Sequence, residues 1–405
     1  MKILYINAVC GVGSTGRIVT DLMQKAKKQG HTVKVACSSV EPIKGVEPGE
    51  VVVVGNKIDY YAHNFMSRIT DHEGLYSKLA TKRLVKHIQE YNPDIIHLHN
   101  LHGHWINYEL LFRFLAEENK KVIWTLHDCW AFTGHCAHFV AFECEKWKKQ
   151  CTDCPGLKSY PRCYGSGDVA KNYERKRKAF SNCANIIIVT PSKWLAEFVK
   201  ESFLGHYEIE VINNSIDQTI FQPRSSDFRK TYGVEDKIMV LGVSNVWNKN
   251  KGYNDFIKLR RILGLEYTIV LVGLSEEQIK ELPEGIIGIT RTHNTTELAE
   301  IYSAADVFVN LTYQDTYPTV NLEALSCGTP IVTYDTGGSV EAGDETCCII
   351  VPQHNLDAVV DAIKKAKSLT REAAILRSKN YLSDNRYTEY ISLYNDYSDR
   401  PEGNN

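Results

Sequence analysis

Lys2-Ile-Leu-Tyr-Ile-Asn-Ala-Val9-Cys10-Gly11-Val-Gly13-Ser-Thr-Gly16-Arg17-Ile-Val-Thr-Asp-Leu-Met-Gln-Lys-Ala-Lys-Lys28 is the stretch that decides the fold. An apolar, β-branched run at Lys2–Val9 reads as a strand, glycines follow, and Arg17–Lys28 reads as a helix. Strand, glycine loop and helix in that order open a parallel α/β unit.

The alternation continues outward from there. Further strand-like runs lie at Thr32–Ala36, Val51–Val54, Ile95–Leu98, Val122–Leu126 and Ile186–Thr190, most followed by helical stretches such as Glu109–Glu118. A second series begins after Pro223, at Lys237–Val243, Tyr267–Val272, Ile286–Ile289, Val307–Leu311, Ile331–Thr333 and Cys348–Val351. Two tandem doubly wound parallel-sheet domains are therefore expected, residues 1–205 and 206–380, with 381–405 a C-terminal helix and polar tail packing back on the first. Ligands of open parallel sheets sit beyond the carboxyl ends of the strands, so the expectation is α/β domains facing across a cleft, with the chemistry at strand ends.

Composition agrees. The 405 residues exceed one ordinary domain of about 100–200 residues, and 43% hydrophobic content supplies a large core. Forty-seven basic against 49 acidic side chains give a formal charge of −2, which argues against a surface built throughout to grip nucleic acid or anionic lipid, so any basic site is local. No apolar run approaches the ~20 residues of a membrane span, and the opening residues lack the basic and apolar regions of a secretory leader. A cytoplasmic chain is expected, so its twelve cysteines read as thiols or metal ligands before disulfides.

Gly11-Val-Gly13-Ser-Thr-Gly16 matches the G-x-G-x-x-G dinucleotide fingerprint. The second strand ends Ala36-Cys37-Ser38-Ser39, with no acid to hold a ribose, and Arg17-Ile18 replaces the Lys-Ser/Thr pair of a P-loop. What survives is a backbone that a ligand can approach closely and a helix N-terminus that favours an anion, or else a plain tight turn. The second series carries a sharper constellation, Gln314-Asp315-Thr-Tyr-Pro318-Thr319-Val320-Asn321-Leu-Glu323, closed by Gly328-Thr-Pro330. Pro318 suits the first turn of a helix carrying Glu323. A phosphate then fits the amides around Thr319–Asn321 while the two carboxylates accept from sugar hydroxyls. Lys249 and Lys251, after the strand ending at Val243, add cations for a diphosphate.

These residues resemble the retaining, GT-B-fold glycosyltransferases of glycosyltransferase family four, in a branch similar to bacterial capsule and exopolysaccharide enzymes. The resemblance runs to about Ser398 and rests on the glycine-rich opening, Thr125-Leu-His127-Asp128, Asn214-Ser-Ile-Asp217-x-x-x-Phe221-x-Pro223, Lys251-Gly252, and Asp315 and Glu323 followed by Cys327-Gly328-Thr329-Pro330. It implies a nucleotide-diphosphate sugar donor, transfer of a hexosyl type with net retention, and no catalytic metal. It implies that Glu323 holds the ribose, Asp315 the donor sugar, Lys251 the diphosphate, and that His127 stands beside the transferring sugar. Gly13, Lys249, Thr319, Val320 and Asn321 complete the expected donor site. Two departures stand out: the family usually carries Glu where Asp315 stands, and an Arg is missing before Lys249, whose charge is expected to replace it.

Three other features carry open readings. His97 and His99 share one face of a strand, an arrangement open to a metal pair or to polar side chains at a strand end. From Glu145 to Lys178 ten basic residues face four acidic ones, which suits a solvated helix face or contact with an anionic membrane or diphosphate-linked lipid. Cys136, Cys144, Cys151 and Cys154 are spaced eight, seven and three apart, ending in a C-x-x-C knuckle, which suits a structural zinc or a set of free thiols. A long loop of about 40 residues needs some such source of order. The expected function is sugar transfer to a glycan or lipid-linked saccharide acceptor on the inner face of the membrane, without nucleic acid. The alternatives are an epimerase or hydrolase of the sugar nucleotide, and a zinc-loop interaction protein.

Overall fold

The computed structural model describes residues 1–38 and 46–400. Ser39 and the tail beyond Arg400 lie outside the described residues. The strands are β1 (Lys2–Ile6), β2 (Thr32–Cys37), β3 (Val51–Val53), β4 (Ile95–Leu98), β5 (Val122–Thr125), β6 (Ile186–Thr190), β7 (Glu208–Val211), β8 (Ile238–Val243), β9 (Tyr267–Val272), β10 (Ile286–Ile289), β11 (Val307–Asn310), β12 (Ile331–Tyr334) and β13 (Cys348–Val351). Between them run α1 (Gly13–Lys28), α2 (Lys57–Thr70), α3 (Lys78–Tyr91), α4 (Tyr108–Glu117), α5 (Val169–Phe180), α6 (Lys193–Glu201), α7 (Phe228–Thr231), α8 (Tyr253–Ile262), α9 (Glu276–Lys280), α10 (Thr295–Ala304), α11 (Thr319–Ser326), α12 (Leu356–Ala366), α13 (Arg371–Ser378) and α14 (Ser383–Asp399).

The chain divides into two units, Met1–Ile212 with Tyr387–Asn405, and Asn213–Arg386. The first holds a seven-stranded sheet in the order β3-β2-β1-β4-β5-β6-β7 and the second a six-stranded sheet in the order β10-β9-β8-β11-β12-β13. Every pairing is parallel, as expected of strands buried on both faces. In β1, Ile3 and Tyr5 enter one core and Leu4 and Ile6 the other, the period-two alternation of a sheet between helical layers. One strand lay beyond the expected boundary at 205: β7, sequence Glu-Ile-Glu-Val, pairs with β6 and carries the first unit to Ile212. From Tyr387 onward α14 belongs to the first unit, and Tyr387, Tyr390, Ile391, Tyr394 and Tyr397 pack with Val19, Leu22 and Ile95 in its core.

Candidate active site

The second sheet changes winding direction between β8 and β11, and the loops after these strands diverge, which is where open α/β sheets take ligands. After β8, Asn248 caps a single tight turn, Lys249–Lys251, its side chain accepting from the amides of Asn250 and Lys251. Gly252 follows at φ 76°, and a Cβ there would stand 2.4 Å from the Leu311 carbonyl oxygen. Glycine is therefore what lets this turn close on the end of β11. The Asn250 carbonyl completes the closure by accepting from the Tyr313 amide at 2.9 Å. Half-buried Lys251 consequently meets Asp315, with Nζ 2.8 Å from Oδ2. Lys249, on the same turn, is exposed.

Asp315 is held from two further sides. Its other carboxylate oxygen accepts from the Tyr317 amide at 3.2 Å, and its carbonyl accepts from Gly338 N at 3.1 Å. A Cβ on Gly337 would fall 1.8 Å from that carbonyl, so the Gly337-Gly338 turn after β12 packs directly on the Asp315 backbone. Pro318 then opens α11 without a side-chain cap, and no acid sits in the first turn, which leaves the helix terminus suited to an anion. Thr319 and Val320 are half-buried there. Asn321 is not a free ligand as a side chain: it is fully buried, donating to the Ser339 carbonyl at 3.1 Å and accepting from Asn310 Nδ2 at 2.8 Å. Glu323, half-buried on the next turn, accepts from the Tyr302 hydroxyl at 2.9 Å. Burial, with Glu323 beside it, holds that hydroxyl well above the usual phenol range, so it remains a donor.

Tyr302 and the Gly337-Gly338 turn join this loop cluster without having been read from the sequence. The glycine pair carried a usable signal, since Gly-Gly shortly after a strand end repeats the strand–glycine pattern of the opening residues. Gln314 Oε1 is buried with no hydrogen-bond partner. A separate cavity of about 420 Å³ in this unit is lined by Arg224, Arg229 and Arg371. Their guanidinium groups are engaged by the carbonyls of Ile220, Ala304 and Ala305, which distinguishes this cavity from the strand-end loops.

In the first unit the glycine loop joins β1 to α1. Gly11 N donates to Gly16 O at 3.0 Å, and a Cβ on Gly16 would lie 3.2 Å from Gly11 N, so this pair closes the loop on itself. Gly13, at φ 65°, has open space where a Cβ would stand. Beyond β5, half-buried His127 places Nε2 3.0 Å from His99 Nδ1, and the rings stack. Burial, aided by neighbouring His102, pulls His127 down to about 4, so it is neutral at physiological pH. His97 and His99 do share a face, with ring centroids 4.1 Å apart. Both His97 nitrogens are occupied by protein, Nδ1 by the Tyr394 hydroxyl at 2.6 Å and Nε2 by Thr125 Oγ1 at 2.8 Å, which removes that ring as a metal ligand. Asp128 instead takes His102, at 2.7 Å.

The segment after His127 is ordered by its own aromatic core. Trp130, Phe132, Phe139 and Trp147 are buried there, Phe139 and Trp147 stacking with centroids 4.8 Å apart. His135 pairs with Asp71 in the interior. Cys136, Cys144, Cys151 and Cys154 are free thiols, and Cys136 donates to Cys154, whose thiol is lowered by that bond. Among the described residues no group of three or more His, Cys, Asp or Glu side chains is arranged to hold a metal ion.

The basic run also changes meaning. Lys176 is buried, donating to the carbonyls of Trp130 at 2.7 Å and Thr133 at 3.1 Å, with its ammonium 3.5 Å from the Trp130 ring centroid. Arg175 pairs with Asp168 and Arg177 with Glu174. Three of the charges counted as a patch are thus an internal brace and two paired side chains. No helix among the described residues is long and apolar enough to cross a membrane.

Residues 237–368 match the family described as Glycosyl transferases group 1, and residues 15–219 match Glycosyltransferase Family 4. The putative colanic acid biosynthesis glycosyl transferase WcaC of Escherichia coli (strain K12) is 26% identical over 82% of each chain. N-acetyl-alpha-D-glucosaminyl L-malate synthase of Bacillus anthracis is 22% identical over 84% of this chain and 80% of its own. Among solved structures, sucrose-phosphate synthase from Thermosynechococcus elongatus superposes with a TM-score of 0.70 at 15% identity, covering 98% of both chains. Anabaena HepE in complex with UDP-glucose gives 0.67 at 15% identity, covering 98% of this chain and all of the other. With two parallel-sheet units matching such structures throughout, and a family match spanning half the sequence, the chain has the GT-B fold and belongs to Glycosyltransferase Family 4.

Proposed function

We propose that this glycosyltransferase is a retaining, hexosyl-type enzyme. It moves sugar from a nucleotide-diphosphate donor to a glycan or lipid-linked saccharide in surface polysaccharide synthesis, peripherally on the inner face of the membrane. The observation that carries the reading is the Lys251–Asp315 pair at 2.8 Å, at the opening of α11, with Glu323 on the same helix. The polysaccharide setting is supported by the name of WcaC, and the donor class by the UDP-glucose bound to HepE.

The roles follow from charge and position. Glu323 accepts from ribose hydroxyls, and Asp315 accepts from the donor sugar. Lys251 exchanges Asp315 for the diphosphate, and Lys249 adds a second cation. Together with the amides opening α11, these groups neutralise the charge that develops as the nucleotide leaves. The departing phosphate takes the acceptor's proton on the same face, so no protein nucleophile is needed and retention results. His127, neutral and tied to His99, offers the transferring sugar an uncharged hydrogen-bonding surface. Because the cations already stabilise the leaving group, transfer is expected to survive chelation of divalent metal.

Calorimetric titration with UDP-, GDP- and ADP-sugars tests the donor site, and proton NMR of the product tests retention. One sugar nucleotide binding to the wild type and much more weakly to Asp315→Asn is the expected result. Donor turnover undiminished when acceptor is withheld would instead mark an epimerase or hydrolase.

A further inference from the structure

Helix α2 is inverted. Asn56 caps it through the amides of Ile58 and Asp59, and Asp59 returns the bond to the Asn56 amide, so its start is well fixed. The residues it buries are His63 and Ser67, neither of them apolar. His63 Nδ1 lies 2.8 Å from Ser77 Oγ, and its Nε2 accepts from Gly74 N at 3.2 Å. The apolar side chains point the other way: Ile58 is 79% exposed, Tyr61 66%, Phe65 65% and Ile69 50%. At 100° per residue these four fall within a narrow stripe along the outer face. Among the described residues none of them belongs to a hydrophobic core.

The stripe extends at both ends. Leu79, near the start of α3, is 71% exposed, and Tyr164, whose amide donates to the Arg68 carbonyl at 2.7 Å, is 56% exposed. The charge around it has one sign. Lys57 and Arg68 on α2, and Lys78, Lys82 and Arg83 on α3, are all exposed. The acids of these two helices are Asp59, spent on the cap, and Glu90, paired with Lys86 at the far end of α3. Leaving these four apolar and aromatic side chains of one helix in water, ringed by cations, costs solubility with no return inside the fold.

We propose that the outer face of α2, with the start of α3, docks on an anionic lipid bilayer, the apolar stripe entering the headgroup boundary and the cations meeting lipid phosphates. An interfacial helix requires this combination of a continuous apolar face, aromatic residues and basic flanks. A second copy of the chain would meet the same cations at a symmetric contact, and like charges would then oppose one another. The proposal gives a surface to the peripheral location proposed above and rests on that location, but not on the identity of donor or acceptor.

The test uses the full chain and co-sedimentation with vesicles of phosphatidylcholine, alone or mixed with phosphatidylglycerol. The wild type is expected to bind the mixed vesicles preferentially, more weakly as salt rises. The triple variant Tyr61→Ser, Phe65→Ser, Ile69→Ser should lose binding to both by about tenfold or more. Lys78→Glu with Lys82→Glu and Arg83→Glu should lose only the preference for anionic lipid, and Lys178→Glu on α5 should change nothing. All three alterations lie on exposed side chains outside the donor loops, so nucleotide-sugar titration should be unchanged in each. Failure of donor binding in the wild type would sink the functional reading and leave this one intact. Vesicle binding that survives the serine variant overturns the proposal. So does a wild-type dimer that the serine variant converts to monomer, which would make the stripe a contact between copies.

Discussion

At the ends of β4 and β5 the first unit sets His97, within β4, and His99 and His127, beyond the strands, in contact with one another and with tyrosine, whereas beyond β8 and β11 the second sets Lys251 and Asp315 on half-buried turns. One region keeps these three histidines neutral by burial. The other keeps charges, pairs them, and leaves them within reach of solvent. A rigid neutral wall suits a surface against which a sugar packs, while a pair that can exchange partners suits the capture of a diphosphate.

The largest effect that can break this comparison is acid sensitivity of the first unit. His63 and His127 are pulled down to about 4, and His97 and His99 fall well below the usual imidazole range, burial being the main cause in each. A lowered folded pKa means that the unfolded chain binds more protons between about pH 4 and 6.5. Stability is therefore complete above about pH 6.5 and falls as pH drops toward 4. Buried His63 alone accounts for roughly 3 kcal/mol over that window, and the other rings add to it. The raised His102 titrates above the window and does not offset it. Five of the six tryptophans lie in the first unit, so fluorescence-detected melting reads it selectively. A melting temperature that stays level from pH 7 to 4.5 would mean the histidines are hydrated.

Next in size is Lys176→Glu. Its ammonium sits under Trp130 between two carbonyls, and burial pulls it down to about 7. A carboxylate there would face those carbonyls with no donor, a loss of about 3–5 kcal/mol. Lys178→Glu, two positions on and exposed, should stay within about 0.5 kcal/mol. Equal melting temperatures for the two variants would return the segment to a solvated basic face.

The difference between these lysines also marks how far the sequence is readable. Both sheets are legible because strands buried on two faces are continuous apolar runs, and β7 is not because an edge strand reading Glu-Ile-Glu-Val looks half polar. Lys251, Asp315 and Glu323 are legible because local chemistry places them: a cap, a glycine at positive φ, a proline opening a helix. The state of His97 is not, since its partners lie 28 residues away at Thr125 and 297 away at Tyr394. The aromatic packing of the cysteine segment is equally hidden, because Trp130, Phe132, Phe139 and Trp147 carry no spacing rule. Nor does apolar spacing distinguish α2, which turns its stripe outward, from α14, which turns its tyrosines inward.

On the charged side of the comparison, Glu323→Gln removes the ionised acceptor but keeps the shape. Hydrogen bonds to a charged group are worth about 1.5–3 kcal/mol, so nucleotide-sugar affinity should fall roughly tenfold to a hundredfold. Tyr302 can still donate to the amide oxygen, and melting should therefore be little changed. Undiminished affinity in a folded variant would take Glu323 out of the donor site.

The smallest effect separates the two lysines of the β8 turn. Lys251 is held against Asp315, while Lys249 is exposed and acts on a diphosphate only through solvent-screened charge. Lys249→Ala should therefore weaken nucleotide-sugar binding by only about 0.3–1 kcal/mol, or two- to fivefold, with the difference shrinking as salt is raised. Lys251→Ala should cost more and depend less on salt, because it also leaves the half-buried Asp315 without its cation. Calorimetry of both variants at two ionic strengths reads the contrast directly. If Lys249→Ala proved the more damaging at high salt, Lys249 would be a direct phosphate ligand replacing the arginine that the family usually carries, and the pairing of Lys251 with Asp315 would be structural.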